Sequence, residues 1–246
     1  MQTHLTLTRA VLVSIAICCA GMANAQTEQE RRSCSGDGAT PDQRIVGCTA
    51  VIAARPAADV LLSAYRNRAF AFAVKGQFAR ALEDYDEAIR LAPNDSELFN
   101  NRGNVHRFNG DVDRALADLD QAIRLDPNNG RAYNNRGVAY RQKGDHTRAI
   151  ADFTAAIRLL PNDANLHANR GVMYQVTGNY DLALADHEQA LRLDPNLVVA
   201  LYARGIAKIQ KGDAAGGEAD VAAATRIRAD VARVFALRGG VEPVRR

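Results

Sequence analysis

The chain has 246 residues, of which 47% are hydrophobic and 24% charged, with a formal net charge of +3. That near balance gives no strongly basic or acidic field to draw nucleic acid or a membrane surface, so neither partner is expected. The length and apolar content suffice for a continuous core.

Residues 1–25 carry one basic residue, Arg9, an apolar run from Ala10 to Ala20 and the small-residue pattern Ala23-Asn24-Ala25. This is the three-part layout of a secretory signal peptide cut after Ala25. The run is too short to cross a bilayer of about 30 Å, which argues against an uncleaved anchor and against stable membrane insertion. Lipidation at Cys18 or Cys19 would want a small preceding residue, and Ile17 and Cys18 stand there instead. The expected location is periplasmic or secreted. Cleavage leaves Cys34 and Cys48 as a lone pair. In an exported chain such a pair is most simply a disulfide, with two buried free thiols as the alternative. The absence of accompanying histidines makes the spacing poor evidence for a metal site.

Residues 26–40 are polar, carry two glycines and lack apolar periodicity, so a flexible lead-in is expected. Over 41–61 the residues Ile45, Cys48, Val51 and Ile52 recur at helical spacing, with Pro41 at a helix start and Pro56 as a stop. That reads as an N-terminal capping helix and linker, the second helix of a hairpin whose first is missing. Next come five units of one 34-residue period, at 62–95, 96–129, 130–163, 164–197 and 198–228. Gly76, Gly110, Gly144, Gly178 and Gly212 share the fifteenth position; Pro93, Pro127, Pro161 and Pro195 share the thirty-second. Fixed self-similarity at this period predicts stacked helical hairpins, none able to bury its apolar face alone. Each shared glycine suits a helix end, and the next residue (Asp111, Asp145, Asn179, Asp213) suits the cap of the following helix. The fifth unit is degenerate, with Lys208, Gly217 and Ala229 at positions that elsewhere hold an aromatic or apolar residue, alanine and proline. Val231, Val234, Phe235 and Leu237 then predict a C-terminal capping helix within 229–240, a lid on the final hairpin, followed by a frayed tail at 241–246.

Small residues mark close approach: Ala69, Gly103, Gly137, Gly171 and Gly205 at the eighth position, and Ala81, Ala115, Ala149, Ala183 and Gly217 at the twentieth. Aromatics such as Tyr65, Phe99, Tyr133, Tyr140 and Phe153 surround them as core. This combination, with the closing proline, resembles the tetratricopeptide repeat from residue 62 to about 229. The resemblance implies an all-α, right-handed superhelical solenoid of about five hairpins, with an N-terminal half-repeat and a C-terminal capping helix. It also implies that first helices line a concave face able to hold a protein or peptide segment. Departures are the lack of Trp at the fourth position and arginine for leucine at the seventh. The subset of this family that clamps acidic C-termini is matched at Asn101 and Arg131 but not at Asn135 or Phe70, so that activity is not carried over.

Arg68, Arg102, Arg136, Arg170 and Arg204 hold the seventh position, and Asp84, Asp118, Asp152, Asp186 and Asp220 the twenty-third. A repeated structural bridge between the two helices of each hairpin is expected, and the matched acids argue against an anion-binding arginine ladder. A second row, Arg90, Arg124, Arg158, Arg192 and Arg226, has acids four residues earlier at Asp86, Asp120 and Glu188, predicting ordinary helix-surface pairs. Asn67, Asn101, Asn135 and Asn169 recur at the sixth position, near Asn104, Arg66, Arg107, Arg131 and Arg141. An amide offers both donor and acceptor and so matches a peptide backbone; helix-to-helix packing is the competing role. Val138, Val172 and Ile206 make the C-terminal end of the same face apolar.

His106, His146, His167 and His187 fall where other units hold aromatic or apolar residues, so they read as core. His167 and His187 sit on facing helices of one unit, where a meeting would make a pH-sensitive spot rather than a metal site. No phosphate loop, nucleophile elbow, HExxH or CxxC run occurs. The expectation is a non-enzymatic binding scaffold of the cell envelope without cofactor or metal. The alternative is a structural subunit of an oligomeric envelope complex assembled through repeat edges.

Overall fold

The computed structural model describes residues 28–36 and 38–240. The expected leader, its cleavage point, Cys18, Cys19 and the tail at 241–246 lie outside the described residues. The described chain is helical throughout, in two compact units whose boundary, Val105/His106, falls inside a helix. The first unit contains α1 (28–35), α2 (Pro41–Ala53), α3 (Ala58–Val74), α4 (Phe78–Leu91) and most of α5 (Ser96–Phe108). The second contains α6 (Val112–Leu125), α7 (Gly130–Gln142), α8 (His146–Leu159), α9 (Ala164–Val176), α10 (Tyr180–Leu193), α11 (Val198–Lys211), α12 (Ala214–Ile227) and α13 (Val231–Leu237).

The turn inside each hairpin shows why one residue pair sets the period. Gly144, at φ 76°, ends α7 with its N–H on the Arg141 carbonyl (3.0 Å), while the Asp145 N–H reaches the Tyr140 carbonyl (2.9 Å). That double bond is the Schellman stop, which needs a left-handed residue and so favours glycine. The Asp145 carboxylate then accepts the Arg148 N–H at 3.0 Å and caps α8. Asp111 and Asp213 cap α6 and α12 in the same way. Asn179 departs from expectation: its amide donates to the Thr177 carbonyl and hydroxyl, and α10 has no side-chain cap. The neighbouring threonine, absent from the other units, competes for it.

The small eighth residues permit contact between the helices of a hairpin. A β-carbon at Gly137 would stand 2.9 Å from the Phe153 ring, and one at Gly171 would stand 2.7 Å from His187 Cε1. Both rings are fully buried. A side chain at either glycine would push the partner helix away, which outweighs the roughly 1 kcal/mol that glycine costs inside a helix.

The seventh-position arginines bridge the hairpins. Arg68, Arg136, Arg170 and Arg204 each grip the matching aspartate through two nitrogens at 2.7–2.8 Å. Aromatic side chains flank the guanidinium: Tyr65 and Phe72 lie 5.8 Å from that of Arg68, and Tyr133 and Tyr140 lie 5.5 and 5.9 Å from that of Arg136. An arginine therefore fills the usual leucine position because its charge is matched and its plane is stacked. The helix-surface pairing expected of Asp86 and Asp120 is not what they do. Asp86 bonds Arg102 at 2.6 Å and Asp120 bonds Arg136 at 2.8 Å, so both acids join successive hairpins. Arg90 turns to Glu87 instead, and Arg192 to Gln189. A partly buried arginine with spare donors outcompetes a solvated one for the nearest carboxylate.

The N-terminal cap also differs from expectation. Residues 28–35 are helical, so α2 has a short preceding partner within the expected lead-in. The Cys34–Cys48 disulfide joins the two helices. Thr40 and Gln43 form a reciprocal capping box at the start of α2, with Pro41 in its first turn. Arg55, at φ 48°, ends α2 immediately before Pro56.

Candidate functional site

In the first unit, the first-helix face of α3 carries Arg66, Phe70 and Val74 at intervals of four residues, all exposed. Phe70 is 53% and Val74 57% exposed, so an apolar strip with one cation at its end faces solvent. Asn67 is engaged elsewhere: its Nδ2 donates to the Cys34 carbonyl at 3.1 Å, tying α3 to the disulfide-held α1. The Asn101 side-chain oxygen accepts the Asn100 Nδ2 at 3.2 Å. Asn104 is half-buried on the same helix.

In the second unit the same face is covered. Val172, Val199, Tyr202 and Ile206 are buried in one cluster with Val231 and Phe235 of α13, and Val138 packs against it. The Phe235 and Tyr202 rings are 5.4 Å apart at 58°. Past α13, the Arg238 Nη2 donates to Asn165 Oδ1 at 3.3 Å, and a β-carbon at Gly239 would sit 3.1 Å from Arg141 Cδ. Residues 231–239 thus run back over α11, α9 and α7 instead of capping the last hairpin alone. The apolar end expected to be an open trough is filled by the chain itself, with Val231 and Phe235 wholly buried against it.

The other site residues of this unit separate. Asn169 is buried and donates to Asn134 Oδ1 at 3.3 Å, linking two first helices. Asn135 is half-buried and engaged. Arg131 is exposed and lines an open depression of about 400 Å³ with Leu159, Leu160, Pro161, Asn162 and Asp163. Arg141 lies under the C-terminal segment. Its burial, with the positive charges of Arg107 and Arg238, pulls it down to about 10.

The two histidines of the fourth hairpin take separate partners. His167 lies 3.4 Å from both Asp186 Oδ1 and the Pro161 carbonyl. His187 is fully buried with Nε2 2.8 Å from Gln175 Oε1, while Gln175 Nε2 donates to Gln210 at 3.0 Å. That chain makes His187 Nε2 the donor and leaves Nδ1 without a hydrogen-bond partner among the described residues. Protonating Nδ1 would bury an unsatisfied charge, and burial holds His187 down to about 4. Among the described residues, no group of three or more His, Cys, Asp or Glu could hold a metal ion. No helix among them is long and apolar enough to cross a membrane.

Sequence reasoning missed Arg238, Gly239 and the destination of α13. The apolar spacing of Val231 and Phe235 signalled burial, but not the surface on which they would be buried.

These features define a repeat protein of stacked helical hairpins. Sequence models of the tetratricopeptide repeat match residues 63–95, 100–164 and 164–197, more than half of the chain. The chain belongs to the tetratricopeptide repeat family. No curated protein matches it. Among solved structures, a tetratricopeptide repeat protein from Parabacteroides merdae is similar at a TM-score of 0.67 and 18% identity, covering 87% of this chain and 89% of its own. MamA from Desulfovibrio magneticus gives 0.62 and 21%, covering 69% and 96%. YrrB, described as a TPR protein with an unusual peptide-binding site, gives 0.57 and 23%, covering 72% and 90%. At these identities the likeness concerns the fold.

Proposed function

We propose that this chain is a non-enzymatic scaffold, exported to the periplasm or beyond, that docks a protein or peptide segment on its first-helix face. The observation that carries the reading is the seating of residues 231–239 across α11, α9 and α7. A face that buries a helical turn of its own chain has the shape and apolar lining to hold a segment of another. The corresponding strip on α3 is open, with Phe70 and Val74 as apolar contacts and Arg66 at one end. Asn101 and Asn104 would add backbone hydrogen bonds beside that strip, within the first unit. Arg107, Arg131 and Asn135 are separate polar contacts of the second unit, where residues 231–239 already cover Arg141. Asn67 and Asn169 serve the stack instead, since their amides are spent within the chain. A preformed surface leaves most of the ordering cost with the ligand. Peptide binding in the structural neighbour YrrB and the disulfide-bonded N-terminal cap both fit this reading.

The test is site-specific photocrosslinking in intact cells from position 70, with position 182 on α10 as control. One partner captured from 70, absent from 182 and lost on Arg66→Glu is the expected result. Equal capture from both positions would reject the docking face.

A further inference from the structure

The C-terminal segment brings a cation onto a surface that is already positive. Arg238 follows α13, and Gly239 packs on the aliphatic stem of Arg141. The Nη1 atoms of Arg141 and Arg238 are both sealed from solvent, with no hydrogen-bond partner among the described residues. Arg107 adds a third positive charge acting on Arg141, and among the described residues no carboxylate acts on it. The side-chain oxygen of Asn165 is a neutral acceptor, reached by Arg238 alone. Elsewhere in this unit the chain treats half-buried guanidinium groups differently: Arg136, Arg170 and Arg204 each hold an aspartate through two bonds.

Two sealed cationic donors facing no acceptor, with their charges opposing one another, are costly to fold. An anion that accepts from both Nη1 atoms would remove the unsatisfied donors and the mutual repulsion together. The forked guanidinium matches the oxygens of a carboxylate or a phosphate group. We infer that Arg141 and Arg238, with Arg107 supplying charge, form an oxyanion-binding site that fastens the C-terminal segment to the first-helix face when filled. The inference needs no protein partner and stands whether or not the docking face has one. The site spans the face and the segment covering it, so its occupancy sets how firmly the cover is held.

Hydrogen exchange of residues 231–240 in the full chain tests this, with inorganic phosphate and an acetylated tri-glutamate peptide as probes. Sodium chloride of equal ionic strength is the control. Exchange should slow saturably, by roughly tenfold at a probe concentration ten times its Kd. Both Arg141→Met and Arg238→Met should abolish the slowing, and Arg238→Met, outside every helix, keeps the test readable if Arg141→Met fails to fold. An effect of phosphate alone assigns a free oxyanion; an effect of the peptide assigns a carboxylate side chain. No slowing beyond the chloride control, or slowing that survives Arg238→Met, overturns the inference.

Discussion

The two ends of the repeat array are closed by different physics. At the N-terminus, α1 is held to α2 by a covalent bond, and Asn67 reaches from the first repeat to the Cys34 carbonyl. At the C-terminus, α13 is held by apolar burial and is followed by Arg238, whose Nη1 has no hydrogen-bond partner among the described residues. A small helix has little surface with which to secure itself. The first end solves this by limiting the unfolded chain, and the second by lying across several hairpins at once. The contrast shows that a terminal cap needs an anchor outside its own hairpin, whatever its chemistry.

Four changes would break or sharpen this contrast. Phe235→Ala removes the side chain on which the C-terminal cover depends; we expect a loss of about 4 kcal/mol in urea unfolding followed by tyrosine fluorescence. Loss that stays confined to exchange within 231–240 would show that the cover opens independently. Acid acts next. The folded state holds His187 neutral, so its stabilising effect is complete above the unfolded value of 6.5 and lost as pH falls toward about 4. Roughly 3 kcal/mol should disappear over that window, and His187→Gln should flatten the dependence in thermal melts across the same pH range. Opening the Cys34–Cys48 bond, with Cys34→Ser and Cys48→Ser together, should cost about 3 kcal/mol and be felt in exchange of α2 and α3 rather than of α13. The smallest effect concerns the turns: Asp145→Ala should cost about 1 kcal/mol and Asn179→Ala only a few tenths, because only Asp145 caps a helix.

The sequence disclosed whatever repeats. A glycine every 34 residues requires a left-handed helix end each time, and the observed stops at Gly144 and its counterparts follow. The matched Arg and Asp rows were legible because a buried charge needs its partner at a fixed register. Non-repeating features were not. The helix at 28–35 lies in a polar stretch whose order comes from the disulfide and from Asn67, a contact across 33 residues that no local pattern reports. Asp86 and Asp120 looked like helix-surface partners because spacing along one helix is visible in sequence and distance to the next hairpin is not. The Asn row showed its period but not its use, since an amide can bind a peptide or join two helices with the same atoms. The C-terminal segment carried the spacing of a buried helix and no statement of where it would go.

One turn has a consequence for how this chain can change in length. Asp145 closes α7 through its backbone and opens α8 through its side chain, so no residue there is spare. A residue inserted within α8 ahead of Phe153 would turn Phe153 by about 100° around the helix axis, away from Gly137. Within a hairpin, growth or shrinkage therefore breaks the fit of its two helices, whereas whole hairpins can be gained or lost in register.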